Sequence, residues 1–217
     1  MYLNHSKINL NIYLISLLFA IIPVSYIAGN LVLNINILIF IIVNIAFYKS
    51  NILKLNKIFL DKLIIFFFSY ILFVGLFNQF FNYYFENVTD NFSIFFKTIA
   101  YCRFLFLYFI LRFLIDKDLL NFKFFFISCS LCTLFICFDL IYQLNFGKDI
   151  FGLKPAARRL TGPFGDEAIA GSYLQRFSLF LFFLLPAFLT IKNKKIFNFL
   201  LALSVVLVLF SIIIAGN

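Results

Sequence analysis

Phe124-Phe-Phe-Ile-Ser-Cys-Ser-Leu-Cys-Thr-Leu-Phe-Ile-Cys-Phe-Asp-Leu-Ile-Tyr-Gln-Leu-Asn145 is an apolar run broken by one formal charge, Asp139. A bilayer core is about 30 Å thick, so a helix of roughly 20 apolar residues crosses it. In hydrocarbon every backbone amide must be bonded within the protein, which leaves helices or closed barrels. The run is continuous rather than alternating, so it reads as a helix. Similar runs cover Ile12–Gly29, Leu31–Tyr48, Leu63–Phe81, Phe95–Ile115, Ser172–Ile191 and Phe197–Ala215. The expectation is an all-α polytopic membrane protein with about seven transmembrane helices. It forms one transmembrane domain over residues 1–217, with an outer loop at 146–171.

Composition agrees. With 64% hydrophobic residues, 12% charged and a mean hydropathy of +1.05, a soluble globular domain is excluded. The net charge of +9 invites nucleic acid. Most cations, however, lie in short loops between spans, where the positive-inside rule accounts for them. No nucleic-acid partner is expected. The first run lacks a small-x-small cleavage site and reads as an uncleaved first span. The 36 phenylalanines are compatible with AT-rich coding and carry no mechanism.

Orientation follows from the short loops. Lys7, the group Lys49, Lys54, Lys57 and Lys62, the group Arg112, Lys117 and Lys123, and the group Lys192, Lys194 and Lys195 share one side. That side is expected to be the cytoplasm, holding the N-terminus. The other receives the Gly29-Asn30 hairpin, the acidic segment Asn82–Asn91 with Glu86 and Asp90, and the 146–171 loop. Pro23 and Pro186 should kink their helices.

The last loop departs from the charge rule. Between its flanking spans lies Lys154-Pro-Ala-Ala-Arg158-Arg159-Leu-Thr-Gly162-Pro-Phe164-Gly165-Asp-Glu167, and five of the eight glycines fall at 147, 152, 162, 165 and 171. Two readings are open for Arg158 and Arg159. Guanidinium forks match phosphate oxygens bidentately, and Gly162 and Gly165 would expose amides as an anion nest. A basic loop resting on anionic headgroups needs no such site.

Other polar residues carry weaker signals. Arg103 and Asp139 sit at similar depth on sequential spans, as an ion pair or as the lining of a cavity. Arg176 either snorkels outward or joins that cavity. Cys129-x-x-Cys132, with Cys102 and Cys137, lies in apolar spans without a nearby histidine, which fits helix packing and no metal site. Asn87-Val-Thr89 and Asn91-Phe-Ser93 match the glycosylation pattern, relevant only in a eukaryotic secretory route. Tyr83, Tyr84 and Phe85 read as an interfacial aromatic belt. His5 precedes the first span, and no catalytic base is identifiable.

The segment Arg159-Leu-Thr-Gly162-Pro-Phe164-Gly165-Asp-Glu-Ala-Ile-Ala-Gly171-Ser-Tyr173-Leu174 resembles the Arg-x-x-Gly-x-Phe segment of bacterial O-antigen ligases and O-antigen polymerases. The closing Ile214-Ala-Gly-Asn217 resembles the end of the following span, where members continue with Gly/Ser-x-Arg, so the chain is expected to be an N-terminal fragment. Members commonly carry Asn-Pro-Asn-like residues after the Phe; here Gly165-Asp166-Glu167 stands instead. The resemblance covers Arg158 to Asn217 by motif and the earlier spans by hydropathy alone. It implies a multi-pass protein of the bacterial inner membrane that transfers or polymerises undecaprenyl-pyrophosphate-linked glycan at the periplasmic face. The acceptor is another glycan or lipid A-core, with membrane lipids as surroundings and without a metal, nucleotide sugar or other cofactor. Arg159 would be the principal diphosphate contact, with Arg158 and Arg176 auxiliary and Gly162, Phe164 and Gly165 shaping the loop. Ligase and polymerase are not separated by these residues. A transporter or flippase of lipid-linked sugars would also place arginines by a diphosphate, and a non-catalytic membrane subunit is a third reading.

Overall fold

The computed structural model describes residues 2–55, 58–85, 93–155, 159–188 and 193–216. Lys57, the acidic segment with Glu86 and Asp90, both glycosylation-type triplets, Arg158 and Lys192 lie wholly or partly outside the described residues. So do the side chains of His5, Lys7, Tyr83, Tyr84, Phe85 and Pro186.

The helices run in the order α1 (Tyr2–Ala20), α2 (Ile22–Ile27), α3 (Asn30–Tyr48), α4 (Phe59–Phe85), α5 (Ser93–Tyr101), α6 (Arg103–Asp116), α7 (Phe122–Phe146), α8 (Ala170–Phe188) and α9 (Lys194–Ile214). The 3-10 turns Lys49–Lys54 and Gly162–Phe164 punctuate them. Among the described residues six segments are long and apolar enough to span a bilayer: Leu10–Ile27, Asn30–Tyr48, Phe59–Phe81, Phe95–Asp116, Phe122–Phe146 and Lys194–Ile214. The chain is therefore an all-α multi-pass membrane protein. The run expected over Ser172–Ile191 is helical as α8 but is not among the six. Residues 185–191 of that run lie wholly or partly outside the described residues.

The chain divides into two compact units, residues 1–36 with 120–217 and residues 37–119. In the first, α7 is the hub, packing on α1, α2, α8 and α9. Its Cys129, Ser130, Cys132, Thr133 and Cys137 are buried, and such small residues let neighbouring backbones approach without an aromatic barrier. Phe19 of α1 stacks on Phe125 at 4.4 Å, and Phe180 of α8 meets Phe125 edge-on at 4.9 Å. Asn121 caps α7 by accepting from the Lys123 amide, and its own amide donates to Ser16 Oγ at 2.9 Å.

The expected kink at Pro23 is a break at Ile21 between α1 and α2, with Pro23 in the first turn of α2. Polar side chains service it. Ser25 Oγ donates to the Ile21 carbonyl at 3.0 Å and accepts from Asn36 Nδ2 at 3.0 Å, while the buried Tyr173 hydroxyl donates to the Pro23 carbonyl at 3.1 Å. This is how apolar surroundings tolerate proline: neighbours take up the backbone groups it disturbs. Gly29, at φ 111, turns the chain into α3.

In the second unit α4 packs on α5 and α6. Gly75 is needed where α4 meets α5, because a β-carbon there would overlap the Thr98 side chain. A single residue, Cys102, interrupts the Phe95–Asp116 span between α5 and α6. Near the start of α4 the buried Asp61 accepts from the Ile58 amide and the Tyr108 hydroxyl, both at 2.8 Å, and from Arg112 Nη1. Arg112 Nε also faces Asp116 at 3.7 Å.

Candidate functional site

The loop that sequence singles out is built on the last turns of α7. Helix α7 ends at Phe146 because Gly147 takes the left-handed conformation, φ 69, and its amide bonds the Gln143 carbonyl at 2.9 Å. The chain then folds back along the helix. Ile150 N–H donates to Asp139 Oδ1 at 2.8 Å, two helical turns or about 11 Å before the end of α7. Asp149 closes a tight turn there: its amide donates to the Leu153 carbonyl at 2.9 Å, and its Oδ1 accepts from the Leu153 amide.

Gln143, one turn above Asp139 on the same face of α7, holds the far limb. Its Oε1 accepts from the amides of Thr161, at 3.0 Å, and Gly162, at 2.9 Å, while its Nε2 reaches the Leu153 carbonyl at 3.5 Å. Irregular backbone beside a spanning helix needs such partners, since each unmet buried amide costs about 1–3 kcal/mol. Gly162, at φ 54, lies flat against α7; a β-carbon there would come 3.4 Å from Asp139 Oδ2 and from Leu140 Cδ2.

The sequence-expected residues then separate. Gly162 and Phe164 form the 3-10 turn, and Phe164 packs on Tyr173 with ring centroids 5.7 Å apart. Gly165, φ 64, redirects the chain toward α8. Arg159 is exposed on the loop, its stem alongside Gly216 at the end of α9, where a β-carbon on that glycine would lie 3.4 Å from Arg159 Cγ. Arg176 is exposed on α8 with Nη1 3.5 Å from the Tyr26 hydroxyl, and Tyr26 meets Tyr173 at 5.5 Å. So Gly162, Phe164, Tyr173 and Tyr26 lead in steps from the loop to Arg176.

Asp139 turns one oxygen to the loop amide. Arg103 belongs to the second unit, where its Nη1 donates to the Ala100 carbonyl at 3.1 Å and its guanidinium lies 4.7 Å from the Phe104 ring centre. Cys129, Cys132 and Cys137 are buried free thiols. Among the described residues no group of three His, Cys, Asp or Glu side chains converges to hold a metal ion.

Two residues central to this geometry escape a search for charges and motifs. Gln143 is uncharged, and its signal is the four-residue spacing to Asp139 on a helix that runs into a glycine-dense loop. Asp149 sits between Lys148 and Ile150 and reads as one more surface charge, yet it is buried. No protein-family model, curated protein or solved structure matches the chain.

Proposed function

We propose that this protein binds a polyprenyl-diphosphate-linked glycan at the outer face of the bacterial inner membrane. There it transfers or polymerises that glycan, as the resemblance to O-antigen ligases and polymerases implies. The observation that carries the reading is an exposed arginine on a loop anchored to a spanning helix. Arg159 follows the span pinned through Ile150 and Leu153 and directly precedes the limb pinned through Thr161 and Gly162. A fixed guanidinium stabilises developing charge without reorganising at the moment of reaction.

In the proposed step an acceptor hydroxyl oxygen bonds the anomeric carbon of the donor. The bond from that carbon to the diphosphate breaks, and polyprenyl diphosphate leaves with the electron pair. The hydroxyl proton passes to water. Arg159 neutralises charge on the leaving diphosphate, with Arg158 and Arg176 as auxiliary cations. Gly162, Phe164 and Gly165 set the direction of the loop.

A transporter reading looks for unwound helices whose free carbonyls and amides bind substrate. Among the described residues two spans are interrupted, at Ile21 and Cys102, but both residues stay in the right-handed helical region. The Ile21 amide still bonds Leu17 and the Cys102 amide still bonds Ile99. Neither interruption frees a run of backbone, so transfer is favoured.

The test is glycan transfer by the purified full-length protein in detergent, with lipid-linked donor and acceptor, where no compartments exist. Arg159→Ala should abolish product at normal protein level, and Arg159→Lys should restore only part of it, since an ammonium lacks the planar fork. Full activity of the alanine variant would refute the role of Arg159. A wild type that moves lipid-linked sugar across vesicles but forms no product in detergent would replace transfer with transport.

A further inference from the structure

Asp139, Asp149 and Thr161 are each at least nine-tenths buried. Each keeps a side-chain oxygen without a hydrogen-bond partner: Asp139 Oδ2, Asp149 Oδ2 and Thr161 Oγ1. All three belong to the junction where the loop folds back on α7. The Ile150–Asp139 bond sets the Asp149–Ile150 peptide against the Asp139 carboxylate. The Gly162 backbone lies against Asp139 Oδ2 from the other limb, with Thr161 adjoining it in the chain.

A buried carboxylate oxygen without a donor is costly, because burial removes water and nothing replaces it. Elsewhere in the first unit the buried Ser25, Gln143 and Tyr173 are serviced, and among the described residues the other unmet oxygen there is a neutral hydroxyl, Thr133 Oγ1. Here both carboxylates spend their first oxygen on a backbone amide, Ile150 for one and Leu153 for the other. Their second oxygens are both left over, and so is the hydroxyl of Thr161, the residue before the Gly162 that lies against Asp139 Oδ2. Acceptor oxygens in excess of donors are what a cation needs.

We propose that Asp139, Asp149 and Thr161 bind a hard divalent cation of the calcium or magnesium class, which clamps the 147–162 loop to α7. Two carboxylates balance a double charge. The donor set is all oxygen, which suits such ions rather than thiophilic metals. Two carboxylates and a hydroxyl leave further positions for carbonyls or water, as flexible calcium coordination allows. The cation is a clamp on loop geometry and takes no part in bond making. The inference does not rest on glycan transfer: it concerns the loop whatever the loop handles.

The experiment is thermal unfolding of the full chain in detergent after chelation, read with a thiol-reactive dye on the buried cysteines. Calcium and magnesium are titrated against a sodium control of equal ionic strength. Saturable stabilisation by one divalent ion is expected, because a ligand that binds only the folded state raises the midpoint. Asp149→Asn and Asp139→Asn should each weaken the apparent affinity at least about tenfold, the loss of one charge–ion interaction of about 1.4 kcal/mol. Both keep an oxygen for the Leu153 or Ile150 amide, so their folds should survive. Thr161→Val should weaken binding less, and exposed Asp166→Asn should leave it unchanged. If either asparagine variant unfolds too early to titrate, isothermal titration of Thr161→Val against Asp166→Asn decides. Stabilisation by acid alone, with no divalent effect in the wild type, would overturn the proposal in favour of a protonated carboxyl. An equal divalent shift in Asp149→Asn and wild type would overturn it as well.

Discussion

Among the described residues each unit buries one carboxylate of a spanning helix, Asp61 and Asp139, and the two are treated in opposite ways. Asp61 is met from several directions, by the Ile58 amide, the Tyr108 hydroxyl and Arg112, and its negative charge is matched by a positive one. Asp139 receives a single backbone amide and keeps one oxygen unmet. A closed network holds helices together. An open one, next to glycines and a returning loop, has capacity to spare. In an apolar protein the polar group left incomplete is the better guide to function.

The largest effect is expected from opening the closed network. Arg112→Ala leaves Asp61 buried with no cation, and removing one partner of a buried pair costs far more than removing both. Unfolding midpoints in detergent should be lowest for this variant among those named here. The double variant Asp61→Asn with Arg112→Met should recover much of the loss. A double variant no better than the single would mean that Asp61 is not held by charge.

Next comes the anchor of the open network. Gln143→Leu strips the acceptor from the amides of Thr161 and Gly162, at about 1–3 kcal/mol for each buried amide. A total near 3 kcal/mol is expected in chemical or thermal unfolding. Faster hydrogen exchange should appear at those two amides and not in α4. Unchanged exchange there would detach the loop from Gln143.

Gly162→Ala should cost less. The left-handed φ of 54 penalises a β-carbon by about 1–2 kcal/mol, and contact at 3.4 Å with Asp139 and Leu140 adds to it. Gly152→Ala is the control, with φ 86 but open space around it. If the two variants lose the same stability, the packing of Gly162 on α7 contributes nothing. The smallest effect belongs to Arg159→Lys. An exposed side chain away from any cap or core changes stability within about 0.5 kcal/mol, so any fall in activity reads on the handling of the diphosphate and not on folding.

Much of this architecture was legible in the order of residues. Continuous apolar runs of spanning length have few structural outcomes in a bilayer, which is why six of the seven expected spans, and a disturbance of the first one near Pro23, could be read directly. The loop announced itself through Gly162, Gly165 and the arginines. Its attachment did not. Gln143 carries no charge and sits inside an apolar run, where one polar residue draws little notice. Its meaning depends on which backbone the loop returns to it, a tertiary fact. Asp61 stands beside Lys62 in the sequence, and only the fold brings it the Tyr108 hydroxyl from 47 positions away. Local patterns report faces and ends of helices; they do not report which distant donor will arrive.

The bond from Tyr173 to Pro23 joins residues 150 positions apart, and this has a consequence for biogenesis. The first unit is discontinuous in the chain: residues 1–36 emerge first, and their packing partners begin at residue 120. At about 5–20 residues per second, the ribosome needs several seconds to make the intervening segment. During that interval the kinked first span has neither α7 to pack on nor the Tyr173 hydroxyl for its carbonyl. It must wait in the insertion machinery or in lipid with its polar residues provisionally paired. Within that early segment Asn36 donates to Ser25, and Ser25 donates to the Ile21 carbonyl. These bonds can form at once, and they equip the nascent hairpin to wait.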